Sequence, residues 1–468
     1  MSIDPARLQT VLDVLKELDG LDPDHPDAVA IRRATAHVYK SVKQRRRSDK
    51  RASVTAADEA ITNLTATGAS DRIDDETRGI PLAGSSSEVV GTLHRARACY
   101  ICKTRYRDVD AFYHQLCPTC AAFNWGKRDE HVELSGRRAL LTGGRAKIGM
   151  YIALRLLRDG AALTVTTRFP HDAVRRFTAM PDSGTWLHRL RVVGLDLRDP
   201  HQVVELAESV AADGPLDVLV NNAAQTVRRS AASYAQLAAA EHAAESLETA
   251  VPILDLRSPA AEIEGAIGRR LTGDAVTALA LTSGSASLAR VERGIAIDAG
   301  GLVPDLAAHN SWSQKVEEVD AVEMLEVQLC NSVAPFILIS RLRPSLAASP
   351  HRRTYVVNVS AMEGQFSRRY KGPGHPHTNM AKAALNMLTR TSAQEMLEQD
   401  GILMTAVDTG WITDERPHPT KARLHDEGFH APLDLVDGAA RVYDPIVQGE
   451  RGTDLSGVFL KDFVPSPW

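Results

Sequence analysis

The chain reads as an α/β protein built on a doubly wound parallel sheet, and three features of the sequence lead there. From Gly136 onward, short apolar strand patterns alternate with helical ones, the order that parallel sheets require. At the head of that alternation, Arg137–Thr142 runs as an apolar strand into the glycine turn Gly143-Gly144, followed by a helical stretch over Tyr151–Arg158. Ahead of it stand two C-x-x-C pairs within a short segment, Cys99–Cys102 and Cys117–Cys120. At 468 residues the chain exceeds one ordinary core, and the pattern divides it three ways. Residues 1–90 are a helical region and linker, 91–130 a small metal module, and 136–468 the α/β body with an insertion at about 225–319.

A net charge of −4, with 44% hydrophobic and 24% charged residues, is the composition of an ordinary globular protein and makes no demand for a polyanionic partner. No segment offers the roughly 20 uninterrupted apolar residues of a membrane span, and Met1-Ser2-Ile3-Asp4-Pro5 lacks the basic and apolar regions of an export signal. The expectation is a cytoplasmic protein without a membrane partner. Apolar residues at helical spacing predict a helix over Arg7–Leu18, and helix formers continue over Asp27–Lys43 after the turn Asp22-Pro23-Asp24. The run Lys40–Arg51 holds seven basic residues against one acid. Without interleaved aromatics it reads as a solvated helical face, so nucleic acid is not an expected partner. Gly68–Ser87 has the composition of a flexible connector.

Each C-x-x-C turn points two thiolates at one ion, and two such turns complete a closed tetrahedral S₄ site. Cys99, Cys102, Cys117 and Cys120 are therefore the expected ligands of a structural Zn²⁺, with Cys330 standing apart. His114 is a weaker ligand candidate, expected at the surface. Tyr106, Phe112, Tyr113, Phe123 and Trp125 supply the small core that such a zinc ribbon needs, and the ribbon is expected to pack on the main body or on a protein partner. Between about Gln225 and Val319 the strand–helix alternation breaks, with an alanine-rich helix over Ala231–Leu247. This interval is long enough to be a lid or substrate-binding insertion.

A strand, a glycine turn and a helix together make a dinucleotide cradle, because glycine lets the backbone approach the pyrophosphate and the helix aims its first amides at the negative charge. The pattern Thr142-Gly143-Gly144-Arg145-Ala146-Lys147-Ile148-Gly149 resembles the Thr-Gly-x-x-x-Gly-x-Gly of the short-chain dehydrogenase/reductase family, with Lys147 in place of the middle glycine. Further landmarks follow in family order. Asp196 and Leu197 resemble the segment that meets the adenine; Asn221-Asn222-Ala223-Ala224 resembles the family's Asn-Asn-Ala-Gly; Asn331 resembles the helix Asn that holds a water near the active lysine. Lys382 resembles that lysine, and Asp408-Thr409-Gly410-Trp411-Ile412-Thr413 the loop beside the nicotinamide. The resemblance implies a Rossmann fold over Gly136–Trp468 apart from the insertion, a small-molecule substrate of unstated identity, and a homo-oligomer unless the insertion blocks it. Where an acid would bind the ribose hydroxyls of NAD, the sequence has Thr167 and Arg168; with Arg145 these cations imply NADP(H). Lys147 implies binding in altered geometry.

The same comparison exposes gaps. The family's tyrosine, four residues before the lysine, is Thr378 here, and its substrate-orienting serine is Ala361, with Ser360 one place off. An aliphatic hydroxyl is too weak an acid to replace a phenol. His377 beside the vacant position and Tyr370 in the preceding loop are the candidate proton donors, with Asn331 and Lys382 retained. Three functions are open at this point: an NADP(H)-dependent oxidoreductase with a relocated acid, an inactive NADP(H)-binding sensor or scaffold, and, least expected, contact of the zinc ribbon and the basic run with nucleic acid. Substrate is expected near Asn222, Ser360, His377 and Trp411 under the insertion.

Overall fold

The computed structural model describes residues 3–70, 72, 84–86, 88–229, 231–244, 249–257, 302, 307–368, 370–412 and 415–468. Most of the connector 68–87, the insertion's 258–301 and Thr413 lie outside the described residues.

Two helices lead the chain, α1 (Pro5–Glu17) capped by Asp4 and the 37-residue α2 (Pro26–Thr62). The antiparallel strands β1 (Val89–Ala98) and β2 (Arg105–Asp110) follow, then α3 (Pro118–Arg128). Phe112, Tyr113 and Trp125 pack edge to face at the centre of this ββα unit. Phe123 instead stays half exposed against Phe463.

The body contains β3 (Arg138–Thr142), α4 (Lys147–Arg158), β4 (Ala162–Thr167), α5 (Pro170–Thr178), β5 (Leu190–Gly194), α6 (Pro200–Ala212) and β6 (Val218–Asn221). The insertion adds α7 (Ala231–Ala244) and β7 (Ile253–Asp255). Then come α8 (Ala321–Gln328), a π turn over Leu329–Val333, α9 (Ala334–Ala347), β8 (Thr354–Ser360), α10 (Pro376–Asp400) and β9 (Ile402–Asp408). The chain closes with α11 (His418–Asp426), α12 (Leu435–Glu450), β10 (Phe459–Lys461) and β11 (Val464–Ser466).

The strands form one sheet in the order β11-β10-β9-β8-β6-β3-β4-β5-β7, parallel throughout except where β11 turns back on β10. All residues of β8 and β9 are buried, as strands covered on both faces must be. Helices α4, α5 and α12 cover one face and α6, α9 and α10 the other. The order reverses between β3 and β6, and a doubly wound sheet opens its binding crevice at such a reversal. This is a Rossmann-like fold, as expected, with one addition: β7 from the insertion extends the sheet beyond β5.

Ala321–Ala347 runs as one unbroken helix, long and apolar enough by length and composition to cross a membrane, so the expectation that no segment qualifies does not hold. The helix has no uninterrupted apolar run because Glu323, Glu326, Asn331 and Arg341 break it, and the first three of these are buried. Half of its most apolar window is covered, with Leu338, Leu342 and Leu346 in the core, the packing of a helix inside a fold.

The ββα unit is locked to the body through buried charge. Arg128, at the end of α3, donates two bonds to Asp434 at 2.7 and 2.9 Å and lies 3.0 Å from Asp437. The same two aspartates form the capping box of α12, and Tyr113 donates to Asp437 at 2.6 Å. Burial raises the Asp434 carboxyl's pKa, but Arg128 more than offsets this and holds it below the usual range. Removing one partner of such a cluster strands a buried charge. Arg128→Met should therefore lower stability by about 3–5 kcal/mol in chemical denaturation; an unchanged midpoint would show that the cluster contributes little.

Candidate functional site

A cavity of about 400 Å³ opens at the carboxyl ends of the strands, on the crevice between β3 and β6. Its floor is the glycine turn. A Cβ built on Gly149 would lie 2.0 Å from Gly143 O and 2.7 Å from Asn222 Nδ2, so only glycine fits there. Lys147 has φ of +54°, the left-handed conformation that glycine favours. The lysine is thus held in a conformation that a glycine would adopt freely, at a cost of about 1–2 kcal/mol. Gly143, Arg145, Lys147, Ile148 and Gly149 all line the cavity, and α4 starts from its wall.

Thr142 and Asn221 do not. Thr142 Oγ1 accepts from the Asn222 and Ala223 amides, both at 3.0 Å, and so staples β3 to the end of β6. Asn221 Nδ2 donates to Asn358 Oδ1 at 2.8 Å inside the sheet. Asn222 and Ala223 do reach the cavity; the Asn222 amide group donates to the carbonyls of Thr142 and Gly143. Alternation along β6 sends consecutive side chains to opposite faces, which separates Asn221 from Asn222.

On the far wall, Thr167 Oγ1 accepts from Phe169 N at 3.0 Å, while Arg168 Nη2 donates to Tyr234 Oη at 3.1 Å. Phe169 stacks on Tyr234 with ring centroids 6.0 Å apart, and the Arg168 guanidinium lies over both rings. Arg145 also reaches the Phe169 ring but is paired to Asp172, which holds Arg175 and Arg176 as well. Asp196 and Leu197 line the cavity. The Asp196 carboxylate, however, is gripped by Arg198, which reaches on to Glu326 at 3.1 Å, and Gln202 Oε1 takes its amide. Burial raises the Asp196 carboxyl and Arg198 more than offsets it, leaving it ionised and already paired.

The insertion builds this wall. Glu241 of α7 accepts from the His171 and Asp172 amides at the start of α5, and Arg257 beyond β7 donates to Arg168 O. Tyr234, Phe169 and Glu415 were not singled out in the sequence. The alanine-rich helix carried no chemical signal, and only its packing places Tyr234 on Arg168. At the other end of the insertion, Asn310 Nδ2 donates to Glu415 O at 2.8 Å, and Trp312 stacks on His375 at 4.0 Å. The described part of the insertion thus flanks the opening at two ends.

The residues expected to carry the chemistry sit elsewhere. Lys382 is buried, and its Nζ donates to Val359 O at 2.8 Å. Burial pushes its ammonium down to about 8, against the opposing pull of Cys330 and Glu363. Asn331 lies in the π turn, where its side chain pairs with both the amide and carbonyl of Gln225 at 2.7 and 2.8 Å. Ser360 Oγ donates to Asn386 at 2.6 Å and is not a free hydroxyl. Tyr370 is 77% exposed and outside the cavity wall. Thr378 and His377 are buried, each with side-chain polar atoms lacking a hydrogen-bond partner, and burial followed by His375 lowers the His377 imidazole pKa below its ordinary value. None of these, nor Gly410 or Ile412, lines the cavity. Gly410, at φ +78°, packs near Leu433, and Ile412 against Gly438 of α12.

In the ββα unit, Cys99 and Cys102 bracket the β1–β2 turn and Cys117 and Cys120 open α3, with all four Sγ within 4.8 Å of one another. Four sulfurs around one Zn²⁺ at ordinary bond length lie about 3.8 Å apart, and Cys102 and Cys117 already stand at 3.7 Å. The set fits a metal. His114 is buried rather than at the surface, held by Thr67 at 2.8 Å and outside the cluster. Between the first two cysteines, Tyr100 Oη accepts from Trp411 N at 3.0 Å, which ties the cysteine turn to the loop after β9.

A model of the short chain dehydrogenase family matches residues 137–249. An uncharacterized protein of Acanthamoeba polyphaga mimivirus is 32% identical over 362 residues, covering 75% of this chain and 71% of that one. Over residues 137–249, the first part of the α/β body, the chain is similar to the short chain dehydrogenase family. A probable oxidoreductase of Streptomyces antibioticus is 40% identical over 95 residues, 20% of this chain, and the chain spans only 30% of that relative. Among solved structures, the NADPH-bound carbonyl reductase from chicken fatty liver aligns with 73% of this chain and 98% of its own at 18% identity and a TM-score of 0.44.

The Lys382 environment makes a testable demand. Its pKa of about 8 in the folded state lies below the unfolded value of about 10.4, so the folded state binds fewer protons between the two and gains stability as pH rises through that window. At neutral pH the burial costs roughly 3 kcal/mol, and the bond to Val359 returns about 1. Lys382→Met should raise stability by about 2 kcal/mol at pH 7, a gain that disappears by about pH 10.5. A variant no more stable than the parent at pH 7 would show that the ammonium is not under that burden.

Proposed function

We propose that the protein is an NADP(H)-dependent oxidoreductase in which the proton-transfer role of the missing tyrosine falls to His377. The observation that carries the nucleotide assignment is the wall of the cavity, where Arg168 is held between Phe169 and Tyr234 with Arg145 beside it. The glycine turn supports this reading: Gly149 packs so closely on Gly143 and Asn222 that only glycine fits, and Gly143, Ile148 and Gly149 all line the cavity where α4 begins. Gly143, Ile148 and Gly149 would hold the pyrophosphate, Arg168 the 2′-phosphate, and Lys382 the nicotinamide ribose. When bound, the nucleotide supplies or accepts a hydride at the substrate carbon.

The chain's own part is the proton. A neutral imidazole is the form that the lowered His377 pKa favours, and it accepts the hydroxyl proton of an alcohol as the hydride leaves its carbon. In the reverse direction the imidazolium returns that proton to a carbonyl oxygen. A second reading has specific support: Ser360 is tied to Asn386, and neither Thr378 nor His377 lines the cavity, which suits a protein that binds NADP(H) and reports its redox state without turnover.

Calorimetric titration tests the nucleotide. NADPH should bind about 10- to 100-fold more tightly than NADH, the difference expected of a charge-assisted bond to the 2′-phosphate. Arg168→Gln should erase the preference; equal affinities in the parent protein would refute the assignment. His377→Gln, assayed against a panel of small alcohols and carbonyls, separates enzyme from sensor.

The cysteine cluster we assign to structural Zn²⁺, supported by the mutual Sγ distances. Metal analysis should find about one zinc per chain. Cys117→Ser should lose it and lower the thermal midpoint, while a metal-free parent that melts unchanged would remove the assignment.

A further inference from the structure

The strongest unassigned feature lies on α2. At about 100° per residue, Arg32, Arg33, Lys40, Lys43, Arg47, Lys50 and Arg51 fall within one sector about 100° wide, and all seven are exposed. Among the described residues none of them forms an ion pair; Arg32 Nε is bonded to Ala28 O, and Lys43 lies over Tyr39. Asp27 and Asp49, the acids of this stretch, fall on the opposite side. The one acid in the sector is Asp58, and it is buried, accepting from the His94 and Arg95 amides at 2.6 and 3.2 Å. The face that docks α2 onto β1 is therefore the same face that carries the cations farther up the helix. It leads onto a hairpin whose Arg95, Arg105 and Arg107 are also exposed.

We propose that this basic face of α2, with the adjoining hairpin, docks a nucleic-acid duplex through its phosphates. The sequence reading of a merely solvated face rested on the absence of aromatics, but contacts to phosphate need none. From Arg32 to Arg51 the stripe spans about 28 Å of helix. A duplex, with one negative charge per about 1.7 Å of axis, offers partners along that whole length. An anionic membrane fits less well, because a helix lying on a bilayer needs a continuous apolar face opposite its charges. Here Val38 and Val42 on that side are interrupted by Arg45 and Asp49.

Fluorescence anisotropy of the full-length protein with a labelled duplex of about 20 base pairs, from about 50 to 300 mM salt, tests this. Five to seven phosphate contacts should give a slope of log K against log salt of about −4.5 to −6.3. The combined substitution Lys40→Gln, Lys43→Gln and Arg47→Gln, on an exposed helical surface, should reduce the magnitude of that slope by about 2.7 and leave helix content and NADPH affinity as in the parent. Three outcomes overturn the proposal: no duplex binding at the lowest salt, a slope that the triple variant leaves unchanged, or binding to phosphatidylserine vesicles without binding to the duplex. None depends on the oxidoreductase reading.

Discussion

The arrangement rests on a buried arginine that must be neutralised. Arg128 ends α3 with its guanidinium out of solvent, and a charge there is tolerable only when fully paired. Asp434 and Asp437 pair it and at the same time cap α12, so one cluster fixes both a junction and a helix start. Arg441, one turn further along α12, reaches back to Asn124 at 2.7 Å and to Asp462 at 3.0 Å. The ββα unit is thus joined to the body by directional bonds rather than by apolar area alone. Helix α12 in turn packs on α4 and sets Gly438 against Ile148 and Ile412. Through that contact, the charge cluster bears on the glycine turn and on the loop after β9.

The same logic governs the insertion. A cation at the end of β4 exposed to water would need no further support, yet Arg168 is flanked by two rings, tied to Tyr234 and covered at its carbonyl by Arg257. Guanidinium tolerates stacking because it is weakly hydrated, and in that setting its free donors keep a fixed direction. Burial raises the Tyr234 phenol, but Arg168 more than offsets it and leaves the pKa low. The aromatic and the cation are therefore mutually stabilising, and a segment inserted far along the chain completes the wall begun by β4.

Much of this was legible in the sequence, for physical reasons. Strand–helix alternation and the glycine turn report backbone requirements that few other residues meet, so the sheet and the cradle followed directly. The cysteine pairs did too, since C-x-x-C spacing encodes a local turn. Roles that depend on which way a strand side chain faces were less accessible: Asn221 and Ser360 were assigned to the site, but alternation along β6 and β8 turns them into the fold. Tyr370 and His377 were equal candidates by position, and only burial separates an exposed phenol from an enclosed imidazole. At Lys147 the sequence shows a Cβ but not a φ angle, so the left-handed backbone there was not legible.

His377 poses the sharpest energetic question in the molecule. Each buried polar atom without a partner costs about 1–3 kcal/mol, and this ring has two. A histidine kept for packing alone would be replaced by an apolar residue of similar shape at no loss, or would turn a nitrogen toward Gln328, whose amide already reaches the His377 carbonyl at 3.0 Å. Its chain neighbour Thr378 carries a second unpartnered group, and Lys382, one turn along the same helix face, holds an ammonium at the cost of burial. Costs of this kind concentrate where a bound molecule repays them. Their clustering on the first turns of α10 is the physical argument for placing the substrate's oxygen there, even though the cavity wall in this state stops short of them.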